Sequence, residues 1–337
     1  MITTFFLTGA TGFLGRRVIE NLLNENGQIF ALVRKGSESK LNYLKNKRLT
    51  FVRGDVTKKE LGISNIDRKF LKHKVTHLIH CAGLRDPNTR SAEVFRVNVT
   101  GTKNTLNFAK KLPKLKVFIH ISSKAVAGNY EGEFPEQSLP EISNFHNDYE
   151  KSKYQAENLV RNNNFEFIII RPPTIIGDSH TGEVDAFDGS LYRIISAMEQ
   201  RKLLFYPGLC DGFLHTLPVD TVARFCSEVS MDPTYVNITF NLSASPLLTF
   251  REFIDMTSKL LGVSWPSFTM PSFLWNLFIK VFSYLPFLNT GSLSLFNQKL
   301  TYENDAFMKA CKKHKIVIPA LRTYLPNIIH YYQEKNG

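Results

Sequence analysis

The sequence predicts an α/β fold, a doubly wound parallel sheet followed by a smaller, mixed C-terminal lobe. Three observations lead there. Apolar runs of strand length recur through the first half of the chain, at 4–8, 28–33, 49–52, 75–81, 116–122 and 165–171. Segments with apolar residues at helical spacing separate most of them, at 13–24, 92–111 and 149–161. Apolar strands alternating with helices call for a parallel sheet covered on both faces.

Each element has a local reason. The run at 4–8 has no basic residue ahead of it and meets Gly9 at once. It reads as a first buried strand rather than a leader, which needs charge and a longer apolar stretch; on that reading the chain is expected in the cytoplasm. Leu14, Val18, Leu22 and Leu23 give the first helix its apolar stripe, Val94, Val97, Leu106 and Ala109 the second, and Tyr154, Ala156, Leu159 and Val160 the third. Past 175 the pattern loosens into short helices at 189–200, 219–230, 249–261 and 303–314, separated by turns such as Tyr206-Pro-Gly and Ser245-Pro. A sheet domain over 1–175 and a lobe over 176–337 follow, interleaved and without a sharp linker.

Composition bounds the function. The 337 residues are 43% hydrophobic, enough for a substantial core and too many for a disordered chain. Cys81, Cys210, Cys226 and Cys311 lie far apart, with no CxxC pair, so neither a disulfide framework nor a metal site is expected. No fixed repeat is present. The net charge is +12, but the lysines and arginines are scattered rather than interleaved with aromatics, so nucleic acid is not an expected partner. An anionic cofactor, a coenzyme A-like substrate or an anionic lipid surface fits the charge better. Residues 272–288 are apolar except for a stripe of Asn276, Lys280 and Ser283, and contain Pro286. Three readings stand: a helix packed between lobes, a peripheral membrane contact, or a wall for a long acyl or sterol ligand.

Chemistry enters at the first strand-to-helix junction, Thr8-Gly-Ala-Thr-Gly-Phe-Leu-Gly15. Glycines allow a tight turn and close approach of backbone to a pyrophosphate, and the helix start supplies free N–H groups. Gly9, Thr11, Gly12, Phe13, Leu14 and Gly15 are therefore candidate dinucleotide contacts. The second strand ends in Arg34 and Lys35 with no carboxylate before Glu38. A cation there suits the 2′-phosphate of NADP, and NAD, which is usually met by an acid, is less expected. Asp55, next to Val56 after the third strand, either meets the adenine or caps a turn.

Tyr149 and Lys153, at i and i+4, share one face of the helix that follows the fifth strand. An ammonium beside a phenol would lower its pKa and suit it to proton exchange with a substrate oxygen. The fifth strand runs into Ser122-Ser123, and ligands of doubly wound sheets lie at the carboxyl ends of strands. Ser123, Tyr149 and Lys153 are the candidate catalytic group.

These stretches, with His80-Cys-Ala-Gly83, Asn98-Val-Thr-Gly101 and Ser122-Ser-Lys-Ala-Val-Ala-Gly128, resemble the extended short-chain dehydrogenase/reductases, enzymes with a Rossmann fold, over nearly the whole length. The resemblance implies that Tyr149 is the general acid/base, that Lys153 binds the nicotinamide ribose and tunes Tyr149, and that Ser123 polarises the carbonyl. It adds Cys81, Ala82, Gly83, Asn98, Pro172 and Thr174 to the cofactor site, Asn98 as a brace of the fourth strand. Arg171-Pro-Pro-Thr-Ile-Ile-Gly-Asp-Ser-His-Thr-Gly182, Phe187-Asp-Gly189 and Leu217-Pro-Val-Asp220 are similar to the thioester reductase and fatty acyl-CoA reductase branch, with Pro173 and His180 departing from its pattern. That branch implies NADPH-dependent reduction of a lipid carbonyl or acyl thioester. Ser123-Lys-Ala-Val-Ala-Gly128 is also similar to the 3β-hydroxysteroid dehydrogenases, which implies oxidation of a lipid secondary alcohol. A non-catalytic NADP-binding protein is the third reading.

Overall fold

The computed structural model describes residues 3–336 apart from 26, 45, 86–89, 188, 201–209, 265–270, 272–273 and 275–298. The segment 272–288 expected to pack between lobes or touch a membrane thus lies almost wholly outside the described residues. Among those described, no helix is long and apolar enough to cross a membrane.

Seven strands form one sheet: β1 (Thr4–Thr8), β2 (Gln28–Val33), β3 (Leu49–Arg53), β4 (His77–His80), β5 (Val117–Ile121), β7 (Phe167–Arg171) and β11 (Ile238–Asn241). The remaining strands pair in twos: β6 (Glu133–Phe134) with β13 (Thr301–Tyr302), β8 (Thr174–Ile176) with β10 (Thr216–Pro218), and β9 (Phe213–Leu214) with β12 (Leu248–Thr249). The order in the large sheet is β11-β7-β5-β4-β1-β2-β3, every pair parallel. The order reverses between β1 and β4, and a crevice opens at such a switch point, outside the carboxyl ends of the strands.

Among the described residues the α-helices are α1 (Phe13–Asn24), α2 (Asn65–Lys72), α3 (Ser91–Phe95), α4 (Gly101–Ala109), α5 (Asp148–Arg161), α6 (Ser190–Glu199), α7 (Val219–Met231), α8 (Phe250–Leu261), α9 (Asp305–Lys313) and α10 (Leu321–Asn336). The strand period of two splits the core into layers. Phe5 and Leu7 of β1 pack with Val18 and Leu22 of α1 and Val222 of α7, whereas Phe6 packs with Leu106 and Phe108 at α4 on the opposite face. The expected helix over 92–111 is interrupted by a π-helical turn, Arg96–Thr100, which carries Asn98.

The later chain is interleaved with the sheet domain. Residues of α7, β11 and α9 belong to the same apolar cluster as β1 and α1, because an exposed edge at β7 has unpaired backbone groups that β11 satisfies. The separate cluster of the later chain is built by α6, α8 and α10, around Tyr192, Phe253, Tyr324 and Ile328.

Candidate active site

Gly9 adopts φ +72°, a conformation that favours glycine, and a Cβ on it would lie 2.5 Å from the Ala82 nitrogen. A Cβ on Gly15 would lie 2.2 Å from the Gly9 oxygen, so α1 starts directly on the turn. Gly12 donates its N–H to the Gly9 carbonyl at 3.0 Å and is exposed. No side chain caps α1 and no acid occupies its first turn. The uncapped N–H groups and the positive end of the helix dipole make a cradle that fits a dinucleotide pyrophosphate. Thr11 and Phe13 line it half-buried, and Leu14 and Gly15 are buried.

A hydrogen-bonded chain stiffens the turn from below. Thr102 donates to the Asn98 carbonyl (2.6 Å) and faces His80 Nε2 at 3.0 Å, so that nitrogen carries the proton and Nδ1 accepts from Thr8 Oγ1 at 2.8 Å. Burial holds His80 neutral, down to about 3. Asn98 takes the backbone of Leu84 from both sides, accepting from its N–H at 2.7 Å and donating to its carbonyl at 3.0 Å. It is thus a brace for the segment holding Cys81, Ala82 and Gly83. Burial pushes the Cys81 thiol up to about 12, so it is not a ready nucleophile. Val56 is buried, packs against Gly101 and gives its carbonyl to Asn104, which makes it a support.

Arg34 and Lys35 are exposed at the carboxyl end of β2. Glu38 is tied to Arg53 at 3.3 Å, so the nearest carboxylate in sequence is engaged elsewhere. Asp55 accepts from the N–H and hydroxyl of Thr57 at 2.9 and 2.8 Å. Of its two expected roles, the turn cap is the one the geometry displays. Pro172 is buried, its carbonyl accepting from the Lys124 N–H at 3.0 Å, and Thr174 is exposed in β8.

Asn147 caps α5 by accepting from the Glu150 N–H at 2.9 Å, and Asp148 and Glu150 favour the helix start electrostatically. Tyr149 thereby sits in the first turn, where the phenol interacts with Ser123. Ser123 follows β5 and caps a short 3-10 turn, accepting from the Ala125 N–H at 3.1 Å. One helical turn on, Lys153 is buried and donates to the Ile121 carbonyl at 2.8 Å. Its Nζ is also 4.0 Å from where a Cβ on Gly83 would lie. Ser123, Tyr149, Lys153 and Gly83 are thus gathered at the carboxyl edge.

The electrostatics differ from expectation. Burial raises the Tyr149 phenol above its usual value; Ser123 and the Arg85 guanidinium pull against this and Glu150 adds to it. The Lys153 ammonium donates to the Ile121 carbonyl at 2.8 Å. It is itself lowered to about 8 by burial, against the opposing effects of Cys81 and Glu157.

Three features escaped the sequence reading. Arg171, wholly buried, pairs with Glu157 of α5 at 2.6 Å and also donates to the Pro135 and Ser138 carbonyls and Asn241 Oδ1. A charge ending an apolar strand demands a buried partner, and that demand was a readable signal. Lys124, also buried, meets His215 Nδ1 at 3.3 Å and the Tyr302 ring at 3.9 Å. The loop of Asp178 is pinned by Asp220, which accepts from the Ser179 N–H and hydroxyl at 2.8 and 2.7 Å, and by Asn327, which donates to the Ser179 carbonyl.

A switch-point crevice, a glycine cradle and a Ser-Tyr-Lys group at the carboxyl edge define the class: this is an extended short-chain dehydrogenase/reductase fold. Residues 7–226 match the NAD-binding family model described as male sterility protein, and the chain belongs to that family. It is 25% identical to the fatty acyl-CoA reductase wat of Drosophila melanogaster, over 83% of this chain and 66% of that protein. It is 26% identical to L-2-aminoadipate reductase of Schizosaccharomyces pombe, over 76% of this chain and 20% of that protein. The chain thus spans less than two thirds of the first and about a fifth of the second. The terminal R domain of the myxalamid PKS-NRPS pathway has a similar fold, with a TM-score of 0.83 at 22% identity, covering 99% of this chain and 91% of that one.

Proposed function

We propose that the chain is an NADPH-dependent reductase of an acyl thioester or carbonyl carried by a fatty acyl or similar lipid substrate. The observation that carries this is the convergence of Ser123, Tyr149 and Lys153 on the edge that holds the glycine cradle. The relatives named as fatty acyl-CoA and aminoadipate reductases support the reaction type. Arg34, exposed where an acid would favour NAD, supports NADPH.

When bound, NADPH supplies the hydride. The chain's own work is at the carbonyl oxygen. The Ser123 hydroxyl and the Tyr149 phenol donate hydrogen bonds as negative charge builds there, and Tyr149 gives up its proton. The raised phenol suits that direction, because it stays protonated at neutral pH and is a donor before reaction. Lys153 ties α5 to the end of β5 and so holds Tyr149 over Ser123.

The test is NADPH oxidation with long-chain acyl-CoA and with fatty aldehyde, wild type against Tyr149→Phe. Loss of the proton donor lowers kcat by about 100-fold or more with cofactor affinity unchanged. Equal turnover removes Tyr149 from the chemistry, and tight NADPH binding without turnover on any carbonyl makes the chain a binding protein.

A further inference from the structure

The lysines that are scattered in sequence are gathered by the fold. In a parallel sheet every strand starts at the same edge, so the segments feeding β4 and β5 converge at the edge opposite the glycine cradle. Lys69 and Lys72 lie on α2, and Lys74 follows it; Lys110, Lys114 and Lys116 lie between α4 and β5. The Lys116 N–H donates to the Thr76 carbonyl at 2.8 Å, which sets the two strand entries side by side. All six lysines are exposed. Lys69, Lys72 and Lys110 line a groove between α2 and the end of α4, with Phe108 and Leu112 in its wall.

The acids nearby are only partly engaged: Glu60 lines the groove itself, and Glu166, exposed ahead of β7, accepts from Asn237 at 2.7 Å. Glu60 pairs with Arg68 at 3.0 Å and with Lys111, and Asp67 accepts from Ser64 at 2.7 Å. Beside the cations, α2 presents Ile66, 81% exposed, and Phe70, 48% exposed, one turn apart. Phe70 rests edge-on against Phe30, and Lys74 Nζ lies 3.9 Å above its ring.

We propose that this amino edge of the sheet is a docking surface for an anionic phospholipid bilayer. Uncompensated like charges repel one another, and a sheet of anions relieves that repulsion. Lysines are flexible, hydrated point charges without the planar fork that reads a fixed carboxylate, which suits mobile headgroups. Protruding apolar tips flanked by lysine stems are the arrangement by which peripheral segments enter the headgroup layer. The opposite edge, with Gly12 and Tyr149, stays turned to solvent. The inference does not rest on the reductase reading.

The test is sedimentation of the full chain with phosphatidylcholine vesicles, with and without about a third phosphatidylserine. Binding to the anionic vesicles alone, released by salt, is expected. Each lysine near such a surface is worth about fivefold in binding, so the quadruple variant Lys69→Glu, Lys72→Glu, Lys110→Glu, Lys114→Glu loses at least about 100-fold. Ile66→Ser weakens vesicle binding several-fold and leaves binding to poly-glutamate unchanged. Retained NADPH affinity and thermal midpoint in both variants show that they fold; Lys69→Gln with Lys72→Gln is the milder variant if the quadruple one does not. Wild-type-like vesicle binding by the folded charge variants overturns the proposal. So does a wild type that ignores anionic vesicles and binds poly-glutamate, which marks an acidic protein partner instead.

Discussion

Arg34 is the residue on which the proposed preference for NADPH rests. It stands exposed at the end of β2, and Glu38 is held by Arg53 rather than left to contact a ribose. A charge-assisted hydrogen bond is worth about 1.5–3 kcal/mol. Arg34→Ser is therefore expected to raise KM for NADPH by about 10- to 100-fold while leaving NADH unchanged. Steady-state kinetics with both cofactors check it, and a parallel loss with NADH would show that Arg34 supports the turn instead. Arg34 and Tyr149 could be singled out as candidates in the sequence because each is a telling residue type at a fixed place on a fixed element. The electrostatics of Tyr149 were not legible there. A spacing of four brings Lys153 to the same helix face, but only the packed structure shows that its ammonium donates to the Ile121 carbonyl and that burial raises the phenol.

The junction of β1 and α1 works as one element. Gly15 matters because α1 begins almost in contact with the Gly9 carbonyl; a Cβ there must open the turn. Gly15→Ala is expected to cost about 1–3 kcal/mol by overpacking and to raise the Kd for NADPH by at least about tenfold. Thermal melts and fluorescence titration of NADPH measure the two, and unchanged affinity would remove the turn from cofactor binding. Elements with apolar periodicity were readable in sequence: β1, β2, α1 and α5 lie where the pattern places them. α2 and α10 were missed for physical reasons. α2 buries Leu71 while exposing Ile66 and Phe70, and so shows no clean stripe; α10 carries Pro326 within it, which reads as a break.

Among the described residues, His80 and His120 are buried and His77 and His215 half-buried, and desolvation holds all four imidazoles below their ordinary range. Burial lowers His77 to about 4, with Lys116 adding to it, and His80 and His215 to about 3; His120 is also pushed well down. The unfolded chain protonates these groups near pH 6.5. Unfolding therefore takes up protons below that pH, so stability is full above about 6.5 and falls as the pH drops toward 4 and 3. Calorimetry at pH 5 in buffers of different ionisation enthalpy should show an uptake of about four protons from these residues. Release, or no exchange, would mean that the imidazoles are charged in the folded chain. The same burial explains which properties could be read early. Periodicity, glycine placement and the order of Ser123, Tyr149 and Lys153 are local, so the chain written out already carried the doubly wound sheet, the glycine turn and the candidate acid–base group. The Glu157–Arg171 pair, the return of β11 and α9 to the sheet and the gathering of six lysines at one edge depend on residues far apart in the chain. They became visible only in three dimensions, because packing alone sets which distant charges share a low-dielectric interior and which share a face.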